Sequence, residues 1–197
     1  MKIFNEIAKP NKLTLGLVFP LEAYTGSIAK MENQEELAKK AEELGFKALW
    51  FRDVPFNDPS FGDAGQLYDP WIYMTHIMNH TSTIAIGSSS IILPLRHPVH
   101  LAKSINSLQL LSNKRMIMGI ASGDRPIEYP AFGKNLEDRS ELFRDNFFYT
   151  KALLKDFPKY DSVNYGSTNG TIDILPKQSP SILQRNQRPH AHFGGNI

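Results

Sequence analysis

The chain has 197 residues, 41% hydrophobic and 21% charged, with a formal charge of +2; such a chain buries about 70% of its unfolded surface in one domain. Lysines and arginines are scattered in runs of no more than two, which gives no argument for a nucleic-acid partner, and no apolar run approaches the ~20 residues of a membrane span. The absence of cysteine excludes disulfides, thiolate metal sites and a cysteine nucleophile.

The first residues, MKIFNEIAKPNK, lack the apolar centre of a secretory signal. Together with the missing cysteines this predicts a cytoplasmic protein. Leu13–Phe19 (LTLGLVF) reads as the first strand. Asn33 and Glu36 form an N-x-x-E capping box, opening a helix from Gln34 to Leu44 with Leu37, Ala41 and Leu44 on its stripe. Gly45 supplies the left-handed stop. Ala48–Arg52 (ALWFR) is a buried-type strand, and Asp69-Pro70 starts a second helix running to about Asn79. Ile84–Leu93 is the third strand. His97-Pro98 opens a helix with Leu101, Ile105, Leu108 and Leu111 on its buried face. Met116–Ala121 is the fourth strand, and Asp138 and Glu141 cap a helix striped with Phe143, Phe147, Thr150 and Leu154.

The whole chain reads as a single α/β domain. Its strands are nearly continuous apolar runs, as expected when both faces are buried. Strand and helix alternate, leaving a (β/α) barrel or an open doubly wound sheet. No G-x-G-x-x-G follows a strand, which speaks against a dinucleotide fold. Residues 158–188 form an irregular excursion, with Asn169-Gly170 as the turn of a surface hairpin. PHAHFGGNI reads as a fifth strand and a glycine turn. Four βα units and one strand cannot close an eight-stranded barrel. The expectation is therefore either part of a longer protein or a short form that covers its open edges by dimerising.

Several constellations point to chemistry. His76 and His80 are spaced i, i+4 on a helix, but no carboxylate or third histidine is near in sequence, so they read as surface or packing residues. His190 and His192 face one side of the last strand, with Asp53 a conceivable third ligand; no metal is expected there either. His97 reads as structural, and Trp50 and Trp71 as core. No G-x-S-x-G elbow is present.

The stretches EELAKKAEELGFKALWFRDVPF and SSSIILPLRHPVHLAKSINSLQLLSNKRMIMGIASGDRPIEYPAFG carry a family likeness. They resemble the bacterial luciferase-like, flavin-dependent monooxygenases, and FRDVPF and GDRPIEYPAFG resemble a luciferase-type oxidoreductase subgroup. The resemblance implies a (β/α)8 TIM barrel, here incomplete, with reduced FMN or, as the second choice, the deazaflavin F420 at its C-terminal face. It implies O2 and a small organic molecule as substrates and a separate flavin reductase; the homodimer is expected from the open sheet edges alone.

The resemblance also places residues. Ser88, Ser89 and Ser90 would lie under the flavin ring, with a non-prolyl cis bond at Ser89–Ser90; the alternative is small residues filling a tapering barrel. Asp53 matches an acidic position that bears the catalytic assignment. The family often has a histidine beside it, where this chain has Val54; a loop aspartate paired to Arg52 is the other reading. Ser122, Gly123, Asp124 and Arg125 would approach the flavin side chain or phosphate, unless they form a solvated charged loop. Gly194 and Gly195 would border the flavin, and Phe19 and Tyr129 the substrate. The rival reading is a flavin-binding protein without turnover, or an inactive part of an enzyme.

Overall fold

The computed structural model describes residues 2–22, 26, 28–58, 60, 68–154, 160–161, 171–172 and 175–176. In chain order the elements begin α1 (Lys2–Ile7), β1 (Gly16–Phe19), α2 (Gln34–Glu43), β2 (Ala48–Phe51), α3 (Pro70–Met78), β3 (Ala85–Ser88) and β4 (Ile91–Ile92). A 3-10 turn, Leu93–Leu95, leads into α4 (Pro98–Leu111). Then come β5 (Met116–Ile117), β6 (Ile120–Ala121), α5 (Glu128–Ala131), α6 (Arg139–Leu153), β7 (Tyr160–Asp161) and β8 (Thr171–Ile172).

The apolar runs pair as parallel strands in the order β1-β2-β3-β5. Phe19 is level with Phe51 and Ser88, and Ile86 with Met116. Side chains alternate across a strand, so Phe19, Phe51 and Ile86 share a face with Leu49. That face meets Tyr73, Met74 and Ile77 of α3 in the core. Phe51 bridges the layers, 5.7 Å from the Phe19 ring and edge-on to Tyr73 at 5.0 Å. Each such buried side chain contributes about 1.5–3 kcal/mol. On the other face Trp50 is only partly buried. Its indole lies across Gly87 and Gly16, where a Cβ would come within 2.4 and 2.5 Å of it.

Helix starts follow the predicted chemistry in part. The Asp69 carboxylate accepts hydrogen bonds from the N–H groups of Trp71 and Ile72, and Pro70 opens α3 as expected. His97 caps α4 through Nδ1, which accepts from Val99 N–H. The capping box at Asn33 does not form: Asn33 is left-handed (φ 54°) and makes no side-chain cap bond. Gln34 anchors α2 instead, accepting from Leu21 N–H and donating to the Leu21 and Glu32 carbonyls. This turns the buried stripe to Gln34, Ala38 and Ala41, leaving Leu44 exposed. Leu111 is likewise exposed at the end of α4. Asp138 makes no cap bond to α6, because its carboxylate accepts from Asn135.

β7 and β8 pair antiparallel. The Asn169-Gly170 turn and the expected fifth strand, with His190, His192, Gly194 and Gly195, lie outside the described residues. Among the described residues no helix is long and apolar enough to cross a membrane.

Candidate functional site

The third and fourth predicted strands are each broken at the same level. β3 ends at Ser88, the Ser89–Ser90 peptide is cis, and β4 resumes at Ile91. Opposite, β5 ends at Ile117, and β6 resumes at Ile120, level with Ile91. Ser88 fills the gap. Its hydroxyl donates to the Gly119 carbonyl at 2.9 Å and accepts from Gly119 N–H at 3.0 Å. Ile91 N–H then bonds the Gly119 carbonyl at 2.9 Å. A Cβ on Gly119 would sit 2.1 Å from the Ser88 carbonyl oxygen, so only glycine fits.

Above this interruption lies a cavity of about 280 Å³. The end of β2 contributes Arg52, Asp53 and Val54 to its wall, and the broken strand contributes Ser89, Ser90 and Ile92. The loop after β6 contributes Ala121, Ser122, Gly123, Asp124 and Arg125. The wall is thus built of small side chains and hydroxyls between charged groups. Gly123 is left-handed (φ +84°), and a Cβ there would come within 2.8 Å of Ile92. The loop is held from below by Tyr129, whose hydroxyl donates to the Ser122 carbonyl.

Asp53 is committed to the scaffold. Its buried carboxylate accepts from Ile92 N–H at 3.0 Å and from Arg96 Nε at 3.3 Å, with a second, shorter contact from the Arg96 guanidinium. Arg96 also reaches Asp69 at 3.6 Å. The Asn146 amide donates to the Leu93 and Arg96 carbonyls, tying this corner to α6. Burial pulls the Arg96 guanidinium down, but the hydrogen bond and charge of Asp53, reinforced by Asp69, hold it above its ordinary value.

Arg125 and Glu128 are both buried, with Nε and Oε1 3.9 Å apart. Neither Glu128 oxygen has a hydrogen-bond partner among the described residues. Burial pushes its carboxyl up; Arg125 opposes this, while Asp53, Asp124 and Asp58 add to it.

Seven predicted residues therefore meet at one cavity: Asp53, Ser89, Ser90, Ser122, Gly123, Asp124 and Arg125. Three do not line it. Ser88 turns to Gly119, Phe19 is fully buried against Phe51, and Tyr129 is buried beneath the loop. The partner of Asp53 is Arg96, not Arg52. Arg96 stands 43 residues away with no local pattern to mark it. The helix α5 likewise carries no sequence signal, because its four residues are too few for periodicity. Away from the cavity, Glu35 packs beside His76 and His80, supplying the carboxylate that the linear sequence did not.

Residues 14–196 match the family model of the luciferase-like monooxygenases. The chain belongs to that family. It is 31% identical over 160 residues to the alkanal monooxygenase alpha chain of Photobacterium leiognathi, covering 78% of this chain and 43% of that one. The FMN complex of the oxygenating constituent of 3,6-diketocamphane monooxygenase from Pseudomonas putida superposes with a TM-score of 0.59 at 19% identity, over 80% of this chain and 43% of that one. An F420-dependent secondary alcohol dehydrogenase superposes with a TM-score of 0.64 at 18% identity, over 87% of this chain and 51% of that one. The chain thus spans about half the length of these relatives. Its fold is of the (β/α)8 barrel type and is incomplete relative to them.

Proposed function

We propose that this luciferase-like chain holds reduced FMN in the cavity above the broken strands and serves an oxygenation of a small organic substrate. The carrying observation is the coincidence of three features at one place. The strand break, the small-residue wall and the loop that carries Arg125 converge where parallel strands end.

The residues fit a flavin. A flat ring needs backbone at close range, and Ser89 and Ser90 offer no bulk against it. A phosphate is held by a cation beside backbone N–H groups, and the Ser122–Arg125 loop on the cavity wall carries residues of both kinds, with Arg125 buried beside Glu128. Bound reduced flavin would supply the electrons for O2 activation. The chain's own residues orient the group and exclude water, with Ile92 and Ala121 as apolar wall. Asp53 acts as a positioning residue, since its oxygens already serve Ile92 and Arg96. The same reading assigns electron supply to a separate flavin reductase, the active form to a homodimer, and the setting to the cytoplasm. FMN is preferred over F420, for which the same cavity would serve.

A second reading, flavin binding without turnover, is favoured by one observation. Val54 stands beside an Asp53 whose two oxygens are both engaged by Ile92 and Arg96, so neither position offers an uncommitted proton-transfer group.

Anaerobic titration with reduced FMN, followed by admission of O2 in the presence of aldehydes and ketones, tests both. Saturable one-site binding with oxygenated product supports the first reading. Binding with no product supports the second. A folded, monodisperse sample that binds no flavin overturns both.

A further inference from the structure

We infer that Glu35, His76 and His80 form a surface site for a borderline divalent transition metal such as Zn2+, clamping α2 to α3. His76 lies in the last turn of α3 and His80 just beyond it. The His80 N–H bonds the Ile77 carbonyl at 3.0 Å, so the turn continues and the i, i+4 spacing places both imidazoles on one side. Their ring centroids are 5.0 Å apart. Glu35, in the first turn of α2, comes from 41 residues away to place Oε1 2.5 Å from His76 Nε2. One donor atom from each residue lies within 4.8 Å of the other two. Zn–N and Zn–O bonds of about 2.0–2.2 Å at tetrahedral angles put two donors on one ion about 3.3–3.6 Å apart, so side-chain adjustments of about 1 Å close the site.

The backbone around the site is already fixed. Gln34, next to Glu35, accepts a buried hydrogen bond at 2.9 Å from the hydroxyl of Tyr73, which lies one turn before His76. That bond sets how α2 lies against α3, independently of any ion. Two imidazoles and one carboxylate suit Zn2+, Ni2+ or Cu2+ rather than Mg2+ or Ca2+, which take oxygen donors. Glu35 and His80 are partly buried and His76 is exposed, so water can complete the coordination. No residue is shared with the cavity wall. The metal would act as a clip on the barrel's outer layer, independent of flavin chemistry.

The test is calorimetric titration of tag-free protein with ZnCl2, beside Glu35→Gln, His76→Ala, His80→Ala and the control His100→Ala. His76→Gln replaces the alanine variant if that one misfolds. The expected result is binding at micromolar metal, with one equivalent weakened at least about tenfold in each of the three ligand variants and kept in the control. Zinc at about a hundred times Kd should also raise the unfolding midpoint by about 5–10 °C. No binding by folded protein at micromolar zinc overturns the inference. So does an equivalent that survives in the histidine variants, or one that is lost in them but untouched in Glu35→Gln.

Discussion

The foot of β3 and the cavity above it treat buried charge in opposite ways. At the foot, Arg115 is almost fully buried and donates to the carbonyls of Met78, Thr81, Ile84 and Ser112, and to the Thr81 hydroxyl. Nearby, Glu42 accepts from the N–H groups of Ser82, Thr83 and Ile84 and from the Thr83 hydroxyl. These two side chains satisfy the backbone groups that a helix end and a strand start leave over. Beside the cavity, Glu128 is buried with neither oxygen bonded among the described residues, 3.9 Å from Arg125. One end of the sheet is closed by its own polar groups. The other keeps polar capacity and small residues around a space, an arrangement suited to a ligand.

The contrast can be broken first at the foot. Arg115→Met strands four carbonyls in the interior and should cost about 3–5 kcal/mol in urea unfolding. Gly119→Ala pushes a methyl group into the Ser88 carbonyl and should cost about 2–3 kcal/mol, by the same measurement. An unchanged midpoint would mean that the break between the strands is more pliable than described.

Glu42→Gln should cost about 1–3 kcal/mol at neutral pH. Burial raises the Glu42 carboxyl, but the hydrogen bonds from Thr83, Ile84 and Ser82 outweigh this and hold it below its ordinary value. Its stabilisation is therefore complete above the unfolded carboxylate value of about 4.3. It is lost as pH falls through the lower folded value. Stability measured against pH should show that acid limb in wild type and lack it in the variant.

Glu128→Gln should be the mildest, within about 1 kcal/mol, and its sign should depend on pH. The folded carboxyl lies above its ordinary value, so the folded state favours the proton. Stability from this group is complete below about pH 4.3 and falls as pH rises through the folded value. The variant should lose that decline and gain on wild type toward neutral pH.

Much of the frame was legible in the sequence because it rests on local chemistry. Asp69-Pro70, His97-Pro98 and Gly45 mark helix ends by capping and backbone preference, and the apolar runs mark the parallel strands. Asn33 misled because its side chain is one of the few that tolerate a left-handed backbone, and it took that role instead of the cap. The strand breaks at Ser89–Ser90 and Gly119 were invisible to hydrophobic periodicity, since serine and glycine read as fillers. The cis bond was foreseen through the family resemblance alone. Pairings such as Asp53 with Arg96, Arg115 with Thr81 and Glu35 with His76 join residues 34 to 43 positions apart. No local pattern encodes them; the fold brings them together.

The central claim is that the cavity over the strand break holds the flavin. Ser89 is exposed on its wall, so Ser89→Phe fills the space without entering the core. Reduced FMN should bind wild type saturably and bind Ser89→Phe at least about tenfold more weakly, with unfolding midpoints unchanged. Equal affinity in the two folded proteins would contradict the claim and place the flavin elsewhere.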